Sequence, residues 1–79
     1  MKVLIVDAHP PSAQYLCQGL CQDGFNVDVA HDGRQGRDMA LSRAYSLVVL
    51  DLDLPGLSGR EVLQALRRAT STPAIVVAA

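Results

Sequence analysis

The chain has 79 residues, 49% of them from the set AVILMFWYC, with seven Lys and Arg against eight Asp and Glu and a formal net charge of -1. That length holds one small domain and excludes a second, and so even a charge balance gives no electrostatic footprint for nucleic acid or for an anionic membrane surface. No stretch approaches the roughly 20 apolar residues of a membrane span. The apolar run after Lys2 is ended by Asp7, well short of a signal-peptide core, so a cytoplasmic chain is expected.

Val3-Leu4-Ile5-Val6 opens the chain as a continuous, β-branched-rich run too short for a helix, the pattern of a strand buried on both faces. Pro10 and Pro11 suit the first turn of a helix, and Ala13, Leu16, Cys17 and Leu20 then fall at i, i+3, i+4 and i+7, with Gly24 placed to stop it. Cys17 and Cys21 lie one above the other on that helix, which disfavours their pairing; reduced thiols packed as small apolar residues are expected. Asn26-Val27-Asp28-Val29 alternates polar and apolar residues, as an edge strand with one solvated face does.

Asp32 is an N-cap for a second helix running to about Ala44, although Gly33 and Gly36 lower its propensity. Leu47-Val48-Val49-Leu50 is a second doubly buried run. Leu57-Ser58-Gly59 leads into a third helix in which Val62, Leu63 and Leu66 share a stripe, and Arg67 and Arg68 close it where the macrodipole favours cations. Thr72-Pro73 breaks the chain before Ala74-Ile75-Val76-Val77, a third buried run. The order β-α-β-α-β-α-β predicts an α/β, doubly wound parallel sheet with right-handed crossovers, whose functional groups gather beyond the carboxyl ends of the strands.

Asp7 follows the first buried run, Asp51 follows the second, and Asp53 lies two residues further on. Singly, each is a turn former or a helix cap. If the two strands are neighbours, three carboxylates converge on one rim, where like charges repel unless a hard cation with oxygen ligands, best Mg2+, sits between them. A carboxylate beside such an ion is a nucleophile for a phosphoryl group.

Val3-Leu4-Ile5-Val6-Asp7, Leu47-Val48-Val49-Leu50-Asp51-Leu52-Asp53-Leu54-Pro55-Gly56-Leu57-Ser58-Gly59 and Thr72-Pro73-Ala74-Ile75-Val76-Val77-Ala78-Ala79 resemble, collinearly over the whole chain, the bacterial response-regulator receiver domain. The resemblance implies a flavodoxin-like sheet of order 2-1-3-4-5, of which these residues match about the first two-thirds, through the fourth strand. It implies that Asp51 is the phospho-acceptor, that Asp7 belongs to the acidic pair holding Mg2+, and that Asp53 contacts the ion through its main-chain carbonyl. Pro55, Gly56 and Gly59 match the loop leaving the site, where Gly supplies backbone freedom. A sensor histidine kinase is the implied phosphoryl donor. The implied parent is a transcription regulator with a DNA-binding output domain, and the receiver itself is not an enzyme.

Three features depart from the family pattern. Ala8 replaces the second acid, with His9 beside it; Ala78 stands where Ser or Thr contacts the phosphoryl group; and the fifth strand with its Lys lies past Ala79 in the pattern. An alternative is therefore a phosphorylation-independent pseudo-receiver acting as an interaction module. The fourth strand is expected to form an open apolar edge through which the chain self-associates, by edge pairing or by exchange of elements. A remoter alternative is a phosphatase of the haloacid-dehalogenase type, which Asp51-Leu52-Asp53 also resembles.

Overall fold

Strands that send alternate side chains to opposite faces need a helical layer on each side, and the connections between parallel strands provide it. The computed structural model describes residues 1–77. Its elements are β1 (Lys2–Val6), α1 (Pro10–Gln22), β2 (Asn26–Ala30), α2 (Gly33–Ser42), β3 (Leu47–Asp51), α3 (Gly59–Ala69) and β4 (Ala74–Val77). The strands are parallel and ordered β2-β1-β3-β4. The predicted element order and the edge position of β2 are both observed.

One face of the sheet carries the core. Leu4 and Val6 of β1 and Val48 and Leu50 of β3 are fully buried against Ala40 of α2, Val62 and Leu66 of α3, and the loop residues Tyr45 and Leu54. The two glycines that weaken α2 as an isolated helix let it approach the sheet. A Cβ at Gly36 would lie 2.6 Å from Cγ1 of Val6, and one at Gly33 would meet the carbonyl of Leu57. Close packing here outweighs propensity. Asp32 caps α2 by accepting from Gln35 N–H at 2.8 Å, and Ser58 and Glu61 form a reciprocal capping box at α3. At the other end of α3, Arg67 donates to the carbonyls of Thr70 and Thr72.

The opposite face is only half covered. Val3 and Ile5 are buried beneath α1, whose Ala13 is its one fully buried residue. Leu16 is exposed rather than buried, and Cys17 and Leu20 are half-buried, so the predicted apolar stripe is only partly packed. Cys21 is exposed and not packed as an apolar residue. The reason is position: α1 lies over β1 and β2, leaving the same face of β3 and β4 without a helix among the described residues. The expectation of double burial is accordingly corrected for β3, where Leu47 and Val49 are half-buried, and for β4, where Ile75 and Val77 on that face are 53 and 46% exposed; Val76, on the core face beside Leu50, is 40% exposed. The open apolar edge expected of the fourth strand is present in the described residues.

Helix α2 ends at Ser42, short of the predicted Ala44, because the chain must turn Tyr45 into the core. Arg43 is extended (φ -131°, ψ 153°), and Tyr45 O–H donates to Asp28 Oδ2 at 2.7 Å. Arg43 Nη1 and Lys2 Nζ reach the same oxygen at 3.2 and 3.6 Å, and the Lys2 ammonium also lies 5.9 Å from the centre of the Tyr45 ring. The hydrogen bond from Tyr45, assisted by the two cations, holds the Asp28 carboxyl below the usual carboxylate range, and the partial burial of Asp28 opposes this.

A depressed carboxylate contributes stability above its unfolded pKa, and that contribution disappears as pH falls through the folded value. Tyr45→Phe is expected to lose about 1–2 kcal/mol near neutral pH. The deficit should narrow in acid below the ordinary Asp range of about pH 4. Urea unfolding of both proteins at neutral pH and in acid measures it; an equal deficit at both would show that the hydroxyl acts by packing alone.

Candidate functional site

In the parallel ladder of β1 and β3, Val6 pairs with Leu50. The next residue on each strand is an aspartate, so Asp7 and Asp51 sit on adjoining strand ends roughly 4.8 Å apart in backbone spacing. Both continue the face that carries Ile5 and Val49. They line the same cavity, about 540 Å³ in volume, with Ser12, Tyr15 and Leu16 of α1 and Val77 of β4. The strand-end placement expected for these two residues is observed.

Each carboxylate has one oxygen fixed by the backbone two residues ahead. Asp7 Oδ1 accepts from His9 N–H at 2.8 Å, and Asp51 Oδ1 accepts from Asp53 N–H at 3.1 Å. Such turns pin the side chain and start the chain on its way out of the sheet. The second oxygen of each has no hydrogen bond among the described residues, and no Lys, Arg or His there forms an ion pair with either group. Asp7 is 7% exposed, whereas Asp51 is half-buried at the cavity mouth.

The three-carboxylate rim is corrected to a two-carboxylate rim. Among the described residues no group of three or more His, Cys, Asp and Glu side chains is placed to hold a metal ion. Asp53 uses its main-chain N–H to tie Asp51, and its side chain is exposed. His9 is the exposed N-cap residue of α1, with Nδ1 2.8 Å from Ser12 Oγ. Ala8 is half-buried against the core, and its methyl group offers no ligand atom. Ala78 lies outside the described residues. The oxygen donors at hand still suit a hard cation: Mg2+ takes one or two carboxylates and keeps several waters, and Asp7 and Asp51 supply two, with the Asp53 carbonyl as the main-chain candidate.

The loop after Asp51 is held by close approach. A Cβ at Gly59 would collide with the Asp51 carbonyl and lie 2.6 Å from Leu52 Cα, while Gly59 N–H donates to Leu52 O at 3.1 Å. Gly59 therefore serves contact and not backbone freedom; the positive φ in this loop, +78°, belongs to Gly56. Gly33 N–H donates to Pro55 O at 3.2 Å, tying the loop to α2. Sequence reading missed Ser12 and Tyr15 as cavity residues. Their signal was available: they lie three apart on the first helix, one turn past the strand-end Asp7.

The two aspartates thus stand on adjacent strand ends of a doubly wound parallel domain and open on a shared cavity. The family model described as response regulator receiver domain matches residues 3–79, and the chain belongs to that family. It is 39% identical over 79 residues to the transcriptional regulatory protein HprR of Escherichia coli, covering all of this chain and 35% of that protein. The receiver domain of Francisella response regulator 1452 superposes with a TM-score of 0.94 at 30% identity, over 99% of this chain and 65% of that one. Response regulator TrrA of Thermotoga maritima, solved in complex with Mg2+ and BeF, gives a TM-score of 0.85 at 32% identity, over 95% of this chain and 64% of that one.

The chain thus spans about a third of the length of HprR. Receiver domains are signalling modules, and response regulators are phosphorylated by sensor histidine kinases. The match includes Asp51-Leu52-Asp53 in the receiver-family segment. Among the described residues no helix is long and apolar enough to cross a membrane.

Gly59→Ala is expected to destabilise the chain by about 1–3 kcal/mol through overpacking. It should also shift the backbone amide resonances of Asp51 and Leu52 more than those of β2. Urea unfolding with amide NMR checks both, and an unchanged midpoint would mean that α3 slides away freely.

Proposed function

We propose that this chain is a receiver whose Asp51 accepts a phosphoryl group from a sensor histidine kinase, and that its parent is a transcription regulator acting through a DNA-binding output domain. The observation that carries the reading is the pairing of Asp51 with Asp7 on neighbouring strand ends of a receiver-family fold.

Asp53 N–H occupies Oδ1 of Asp51, so Oδ2 is the nucleophile. It attacks the phosphorus of a phosphohistidine as the P–N bond breaks; the bond's electron pair stays on the imidazole nitrogen, which is left neutral or takes a proton from water, and Asp51 becomes an acyl phosphate. Asp7 and Asp51, with the Asp53 main-chain carbonyl, are the residues that would hold Mg2+, which when bound neutralises charge on the transferring oxygens. Asp7 is positioned for this by the His9 N–H bond, which keeps one carboxylate oxygen turned away and leaves the other for the rim.

Incubation with acetyl phosphate and Mg2+ should give one phosphoryl adduct by intact-mass measurement, absent in Asp51→Asn and reduced in Asp7→Asn. An adduct that survives Asp51→Asn would remove Asp51 from the role. Ala8→Asp adds a charged donor at the rim, worth on the order of 1–4 kcal/mol at surface-like dielectric. Mg2+ affinity should therefore rise by about tenfold or more.

A second reading rests on Ala8 and on the exposed apolar side chains of β4. In it the chain works as an interaction module without phosphoryl transfer, and the 79 residues self-associate through β4. Sedimentation equilibrium should give a concentration-dependent dimer that Ile75→Lys dissociates. A monomer at every concentration would dispose of the edge contact, and an Asp51-dependent adduct would favour the first reading over the second.

A further inference from the structure

Ser12 stands in the first turn of α1, on the wall of the cavity into which Asp7 and Asp51 open. Its Oγ lies 2.8 Å from Nδ1 of His9, and His9 is itself tied to the rim, since its backbone N–H donates to Asp7 Oδ1 at 2.8 Å. The same short segment therefore fixes both the Asp7 carboxylate and the Ser12 hydroxyl. Pro10 and Pro11 carry no N–H, so the start of α1 brings fewer amide donors than an ordinary helix end. Asp7 and Asp51 are acceptors only when ionised, which leaves Ser12 and Tyr15, the latter 79% exposed, as the hydroxyl groups on the described cavity wall. A phosphoryl group on Asp51 needs donors for its oxygens, and at residue 78 the chain has Ala, which offers none from its side chain.

We propose that Ser12 donates its hydroxyl hydrogen to an oxygen of the phosphoryl group carried by Asp51, with His9 as the positioning residue that holds Ser12 for it. The inference rests on the reading of Asp51 as the phospho-acceptor. With the ring proton on Nδ1, His9 donates to Ser12 Oγ, and the serine hydrogen is left for the phosphoryl oxygen. The opposite tautomer takes that hydrogen for the ring, so an acceptor in the cavity selects the Nδ1–H form. The contact joins α1 to β1 and β3 at the occupied site.

The test is binding of beryllium fluoride, an analogue of the phosphoryl group, to the full-length protein at saturating Mg2+, followed by fluorine NMR. Ser12→Ala should weaken it by about tenfold, the loss of one hydrogen bond to a charged group. Ser12→Thr, which keeps a hydroxyl, should recover most of that loss; Ser12 is exposed, so neither change disturbs the core. His9→Ala keeps the N–H that ties Asp7 and should weaken binding by a smaller factor, with no further loss when added to Ser12→Ala. Mg2+ affinity without beryllium fluoride should be the same in wild type and Ser12→Ala, because the hydroxyl meets the phosphoryl oxygens and not the ion. Ser12→Ala binding as tightly as wild type, Ser12→Thr binding as weakly as Ser12→Ala, or a further loss from His9→Ala in the double variant overturns the proposal and leaves Asp51 as the acceptor. A wild type without a bound signal, or a signal that persists in Asp51→Asn, overturns instead the reading on which the proposal rests.

Discussion

Everything at the functional end of this molecule depends on β1 and β3 being hydrogen-bonded neighbours in one register. They are separated in sequence by two crossover units, yet Val3 through Val6 pair with Leu47 through Leu50 without a bulge. A shift of one residue would turn one aspartate to the opposite face, because side chains alternate along a strand. The register is held from below: Leu4, Val6, Val48 and Leu50 share one core with Val62 and Leu66, so slipping either strand would expose large apolar side chains. The core that stabilises the fold also aligns the two carboxylates.

The two helical layers contribute unequally. On the core face, α2 and α3 are brought close by glycines whose missing Cβ atoms would meet Val6, Leu57 and the Asp51–Leu52 backbone. These contacts fix the loop that leaves Asp51, and the Gly33 N–H to Pro55 carbonyl bond ties it again. On the other face, among the described residues, α1 covers β1 and β2 and no helix covers β3 and β4. The cavity beside Asp7 and Asp51 exists because this face is open between α1 and β4. Rigidity behind the site comes from the close approach of α2 and α3, and access in front of it from the placement of α1 over β1 and β2.

Much of this was readable from residue pattern. Buried runs ending in Asp, caps at Asp32 and Ser58, and the alternation in β2 depend on neighbours a few residues away, and each has a local physical signature. What was not readable depends on distant partners. The half-exposure of Val49 and Ile75 follows from where α1 lies, which their own hydrophobicity does not encode. Gly59 looked like a source of backbone freedom because glycine identity alone does not separate conformational need from contact need. The end of α2 at Ser42 required knowing that Tyr45 finds Asp28 across the sheet. Asp53 looked like a third rim carboxylate because spacing reports position along the chain and not the direction of a side chain in a turn.

The acidic rim also bears on how Ala8 should be understood. Two carboxylates stand on adjoining strand ends without a cation partner among the described residues, and the backbone N–H groups of His9 and Asp53 each fix one oxygen of the pair. A third acid at residue 8 would add a further negative charge beside the two already on these strand ends, whereas Ala8 packs its methyl group against the core. The chain directions set by the two backbone bonds from His9 and Asp53, and not the side chain at residue 8, orient the carboxylates toward the shared cavity.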